Sequence, residues 1–320
     1  MIALFVAAAT ALLPFAFSPT LAAAQQPAKA RVAWLAVAPH PLIEPFREGL
    51  RALGYVEGQN IEISFEDAEG RTERLDELAG ELLRRSPDVI VVSGAATMRA
   101  AHRVVKSVPV VFVASDPIGQ GVVASLARPD GNLTGLALPF VETSVKWLEL
   151  AGEIVPASPA FAVLTDRAGA PGQFEAMQQA AGPMGRKLIR FDVSEAAEIE
   201  NAFLEARTAG VGAMIVISSP SFAAQRHEIV ASAARHRMPT IYEHRGFVEI
   251  GGLISYGPDL NDVFRRAATY VDRILKGTKP GALPIEQPSK FETVLNLRTA
   301  RSLGLSISDH LASRADEVIE

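Results

Sequence analysis

The chain contains no cysteine. That single absence excludes disulfides, thiolate metal sites, cysteine nucleophiles and a lipidated N-terminal cysteine. After the first seventeen residues no apolar run approaches the length of a membrane-spanning helix. The six histidines, at positions 40, 102, 227, 236, 244 and 310, show neither HxxxH nor HExxH spacing, so no metal site is read from them. No GxSxG nucleophile elbow occurs, and no Ser, His and acid set can be assembled. Lysine and arginine total 31 against 36 acidic residues, for a net charge of −5, and the cations are scattered rather than clustered. A nucleic-acid partner therefore has no electrostatic footprint. Enzymatic chemistry, a metal and a cofactor are all unexpected on these grounds.

What is present is an ordinary globular composition, 48% hydrophobic and 21% charged over 320 residues. At this length a single core usually stops growing, and two domains of about 150 residues are the default. Met1 to Phe17 is uncharged, and Leu21-Ala22-Ala23-Ala24-Gln25 supplies small residues of the kind a signal peptidase reads. The reading is a signal peptide over residues 1–24 and a soluble periplasmic product without a lipid anchor. The first cation is Lys29, so the usual basic start of such a signal is missing. A membrane anchor is the alternative, although Pro14 interrupts a run slightly too short to span.

Beyond the leader, short apolar runs alternate with helical patterns. Strands are predicted at Arg31–Val37, Ile61–Phe65, Asp88–Val92, Val108–Val113 and Leu133–Leu138. Between them lie segments such as Pro41–Leu53, where Leu42, Phe46, Leu50 and Leu53 recur at helical spacing. This βαβα alternation predicts an α/β fold with parallel sheets covered by helices. The pattern then restarts. Phe161–Thr165 answers the first strand, Ala213–Ser218 the third and Pro239–Tyr242 the fourth, which implies two Rossmann-like lobes. The tail adds a strand at Gly252–Tyr256, a helix at Asn261–Lys276, a Pro/Gly-rich crossing at Gly277–Pro288, a strand at Phe291–Leu297 and a short helix near Thr299–Leu303. These are too few for a third domain, so they complete the earlier lobes and make the chain cross between them over a multi-strand hinge. Lobe 1 is expected to comprise residues 25–140 with about 256–284, and lobe 2 about 141–255 with 285–320.

In such sheets ligands gather beyond the carboxyl ends of strands. The stretch Asp88–Ala101, DVIVVSGAATMRAA, runs from a strand into a helix through Ser93, Gly94 and Thr97. It has neither a GxGxxG pattern nor the lysine of a phosphate loop, so its hydroxyls and free N–H groups suit a carboxylate better than a polyphosphate. Capping of its own helix is the competing reading for Ser93 and Thr97. Asp116 and Ser219 each precede proline and read as helix caps, Asp116 with a further chance of touching ligand. Glu243 and Asp166 are candidates to neutralise an ammonium group, Tyr242 and Tyr256 to cover an apolar body, and His40 to line the cleft. Ser218 is the strand-end hydroxyl of the second lobe.

The phrases GYVEGQN, RPDGNLTG and PSKFETVLNL, set in longer matching text from about Arg31 to Glu320, resemble the ABC transporter substrate-binding proteins of the TrpX-like, type I periplasmic-binding-protein group. The resemblance implies a bilobed solute receptor with three hinge crossings, a small molecule in the cleft, and delivery to a permease driven by an ATPase. It implies a monomer, and some relatives are associated with aromatic amino acids. Carried over by position, it places Ser93, Gly94, Thr97, Asp116, Asp166, Ser218, Tyr242 and Tyr256 around the cleft. This chain departs from the pattern at Ala38-Pro39-His40, where relatives are often Ser-rich, and at Asp166-Arg167-Ala168-Gly169, where they carry longer Asn/Pro-rich text. Both are candidate specificity loops. A ligand-sensing module for a membrane receptor, and less so a periplasmic enzyme, are the alternative functions.

Overall fold

The computed structural model describes residues 29–167, 172–217 and 219–320; the expected signal peptide and Ser218 lie outside them. The first sheet holds β1 (Ala30–Ala36), β2 (Ile61–Asp67), β3 (Val89–Ser93), β4 (Val110–Ser115) and β5 (Leu133–Leu138), all parallel, in the order β2-β1-β3-β4-β5. β3 and β4 are buried along their whole lengths, which is why VIVVS and VVFVAS read as continuous apolar runs rather than alternating ones.

The second sheet comprises β6 (Ala160–Asp166), β7 (Lys187–Val193), β8 (Met214–Val216), β9 (Thr240–Tyr242), β10 (Ile254–Pro258), β11 (Phe291–Asn296) and β12 (Glu317–Ile319). Its order is β12-β11-β10-β9-β8-β6-β7, so β6 to β10 repeat the arrangement of β1 to β5. Among the described residues of this sheet only the β10–β11 pairing is antiparallel. The protein is thus an α/β molecule of two doubly wound sheets. Two strands of this sheet escape the sequence pattern. β7, KLIRFDV, is an edge strand whose outward Lys187 and Arg190 break the apolar run, and β12 has only three residues.

Helices exchange between the sheets. After β5, the helix Phe140–Ile154 packs on β8, β9 and β10, with Trp147 Nε1 donating to the Tyr256 carbonyl at 2.6 Å. After β10, the helix Leu260–Leu275 returns to the first sheet and lies along the helix Ile43–Ala52. The closeness of that pair needs Gly49, where a Cβ would come within 2.6 Å of the Arg265 carbonyl oxygen. The segment after it lies beside β5, where Ala137 N–H donates to Glu286 O at 2.8 Å, before the chain re-enters the second sheet at β11. Three connections therefore link the lobes.

Candidate functional site

A cavity of about 60 Å³ lies between the carboxyl edges of the two sheets. One water needs about 10–15 Å³ measured this way, so the space holds several waters. The first lobe contributes His40 after β1, Ser93 at the end of β3 with Gly94 following it, and Ser115 at the end of β4. Asp166 from the end of β6, Ser219 and Ser221 after β8, and Glu243 and His244 after β9 face them from the second. Leu138, Phe140, Leu260 and Phe264 supply apolar wall.

The lobes approach closely at Gly94 and Pro220. A Cβ on Gly94 would sit 2.5 Å from Pro220 Cγ, and the Gly94 φ of +91° is itself a glycine conformation. The turn places Gly94 as the residue before the helix Ala95–Val104, which has no side-chain cap, so the N–H groups of its first turn are left for the cavity. Ser93 does not cap them. Its Oγ lies 2.8 Å from His40 Nε2, and His40 Nδ1 accepts from Leu42 N–H at 3.3 Å. An accepting Nδ1 leaves the proton of the neutral ring on Nε2, so His40 donates to Ser93 and frees the serine O–H to donate onward. The ring is wedged 5.9 Å from Trp34 and 5.2 Å from Phe264 between centroids. Burial, with His244 nearby, pulls its pKa from 6.5 down to about 3.

In the second lobe His244 has the same tautomer, because Nδ1 accepts from Gly246 N–H at 3.0 Å. Burial, and then Arg226, lower its pKa from 6.5 to about 4. Its Nε2 lies 3.8 Å from Glu243 Oε1. Among the described residues no lysine or arginine lines the cavity; Arg226 stands beside it and donates to the Ala223 carbonyl at 3.1 Å.

Of the residues put forward from the sequence, His40, Ser93, Gly94, Asp166 and Glu243 meet at this cavity. Four others are placed elsewhere. Thr97 Oγ1 shares its one O–H between the carbonyls of Ser93 (2.5 Å) and Gly94 (2.9 Å), which braces the turn from behind. Asp116, at a left-handed φ of 46°, accepts from Gly119 N–H and closes its own loop. Tyr242 is buried behind the sheet, stacked on Phe247 at 4.8 Å, and burial raises its pKa. Tyr256 stacks on Phe291 at 5.8 Å. The strand alternation explains the contrast between neighbours: with Glu243 facing the cleft, Tyr242 must face away. Sequence reasoning named the strand-end serines but not the wall residues Phe140 and Phe264. Both come from the helices that swap lobes, and their helical spacing reads as ordinary core.

Comparison with known proteins points one way. The profile of a family described as ABC transporter substrate binding protein matches residues 40–319. A Tyrosine-binding protein of Clostridioides difficile is 23% identical over 274 residues, covering 83% of this chain and 78% of that one. Among solved structures, the ABC domain in complex with L-Trp from Streptococcus pneumonia superposes with a TM-score of 0.81 at 25% identity, covering 91% of this chain and 100% of the other. A conserved domain protein from Vibrio cholerae gives 0.82 at 27% identity, covering 91% and 99%.

Proposed function

The chain belongs to the ABC transporter substrate-binding protein family, and from that premise we propose that it is an exported, monomeric receptor which closes two lobes around a small organic carboxylate. The solute is an amino acid or an aromatic carboxylate, and the loaded receptor delivers it to a membrane permease powered by an ATPase. One observation carries this reading: the cavity is lined from both sheets at their carboxyl edges, so neither lobe alone forms the site. A solute that touches both lobes shifts the population toward the closed form, because only there are both contact sets satisfied. The free helix N-terminus at Ala95 and the Ser93 hydroxyl suit a carboxylate. Asp166 and Glu243 suit an ammonium group, and Phe140, Phe264 and Leu260 suit an apolar body. The relatives named for tyrosine and crystallised with L-Trp support the same class. The first lobe is taken as residues 25–140 with 256–284, and the second as 141–255 with 285–320.

Small-angle scattering of the mature protein against a metabolite panel tests the reading. A binding solute is expected to lower the radius of gyration. A radius unchanged by every compound, together with no heat of binding in calorimetry, would refute it. N-terminal sequencing of material exported by a Gram-negative host is expected to begin near Gln25, and an intact leader would refute the export assignment.

A further inference from the structure

His244 carries a buried donor that the fold does not use. Its ring is held by two contacts, Nδ1 accepting from Gly246 N–H at 3.0 Å and a T-shaped packing on Phe247 at 5.1 Å between centroids, and only 7% of the residue is exposed. The remaining polar atom, Nε2–H, has no hydrogen-bond partner among the described residues, and the residue lines the cavity. A buried donor without an acceptor is an unfavourable arrangement that native proteins rarely keep without reason. The Glu243 carboxylate lies beside it, with Oε1 3.8 Å from Nε2, beyond hydrogen-bond range. A carboxylate accepts several hydrogen bonds at once, so Glu243 has capacity for a solute donor whatever else it holds.

A fixed donor and a fixed acceptor side by side complement one chemical group in particular. An ammonium and a carboxylate borne on one carbon stand roughly 3 Å apart by ordinary bond lengths. We propose that His244 and Glu243 clamp the head group of an α-amino acid, His244 Nε2–H donating to its carboxylate and Glu243 accepting from its ammonium. The second carboxylate oxygen then faces the Ser93 O–H and the helix N-terminus of the first lobe, so that one carboxylate bridges both lobes. Because no lysine or arginine lines the cavity among the described residues, neutral donors hold the anion, and the lowered pKa of His244 is consistent with a neutral ring there. This inference rests on the cleft being a solute site, and it names the class of solute.

Calorimetric titration with the twenty protein amino acids, and with the decarboxylated amine of each that binds, tests the clamp in wild type, His244→Phe, His244→Gln and Glu243→Gln. For the best-binding amino acid, His244→Phe is expected to weaken affinity tenfold or more while leaving its amine analogue within twofold. His244→Gln, which keeps an N–H donor, recovers part of the loss. Glu243→Gln weakens amino acid and amine alike. Equal loss of amino acid and amine in His244→Phe, or no loss of either, overturns the proposal. Should His244→Phe fail to fold, nitrogen-15 imidazole spectra of wild type decide: the His244 Nε2–H signal is expected to shift on adding the amino acid, and an unmoved signal overturns the clamp. If no amino acid binds while another metabolite closes the lobes, the clamp is refuted and the receptor reading stands. If nothing closes them, both are refuted.

Discussion

Acid is expected to open the closed lobes. His40 and His244 line the cleft from opposite lobes, and parting the lobes is expected to let water reach the Nε2 edge of each. In the closed form their pKa values are about 3 and about 4, against 6.5 in water. The closed state therefore binds fewer protons than the parted state, and solute affinity falls as pH drops below about 6.5, with the fall levelling off near 4 and 3. One unit below that ordinary pKa each exposed imidazole is about ten times more often charged than neutral, so discharging it costs about 1.4 kcal/mol. Two histidines set an upper bound of about a hundredfold in affinity between pH 7.5 and 5.5. The charged groups facing the pair modify this. Glu243, 3.8 Å from His244, and Asp166 favour the protonated rings, while Arg226 opposes protonation of His244. The expected drop is therefore roughly tenfold to a hundredfold. Titration calorimetry at pH 7.5, 6.5 and 5.5 reads it directly, and repeating the runs in buffers of different ionisation enthalpy counts the protons released. A flat dissociation constant across that range, or an undiminished slope in His40→Asn, His244→Gln protein, would refute the reasoning.

Other outcomes follow from single contacts. Gly94→Ala places a Cβ against Pro220 Cγ, so the variant should stay extended in scattering even with solute present; normal compaction would count against a close approach of the lobes at Gly94. Ser93→Ala removes the hydroxyl that His40 orients and should weaken carboxylate binding about tenfold, since hydrogen bonds to charged groups contribute about 1.5–3 kcal/mol. Thr97→Val loses the O–H shared between two carbonyls behind the turn and should lower stability by about 1 kcal/mol in urea titration, with a smaller effect on affinity than Ser93→Ala. Gly49→Ala forces the helices Ile43–Ala52 and Leu260–Leu275 apart and should lower stability by about 1–3 kcal/mol, while a melting point equal to wild type would refute the tight packing inferred there.

Much of the architecture follows from local pattern. Strands buried on both faces, such as β3 and β4, have no option but continuous apolar text, and the repeated order of such runs shows two sheets of one topology. β7 was hidden for the converse reason: an edge strand faces water, so its charges imitate a loop. At the site, the strand-end rule reaches His40, Ser93, Gly94, Asp166 and Glu243, all at or shortly beyond the carboxyl ends of strands. It also collects Tyr242 and Tyr256, because proximity to a strand end does not say which face a side chain takes.

The sequence by itself determined the two-sheet α/β plan, since hydrophobic periodicity is a local property that each strand and helix satisfies separately. Only the tertiary structure decided which strand ends face one another. The crossing helices bring Phe264 and Phe140 to the cavity walls, and burial turns two ordinary imidazoles into neutral donors with fixed tautomers. That meeting depends on groups from opposite lobes, and no stretch of chain contains both sides, whereas each imidazole's tautomer is set two residues away in its own loop.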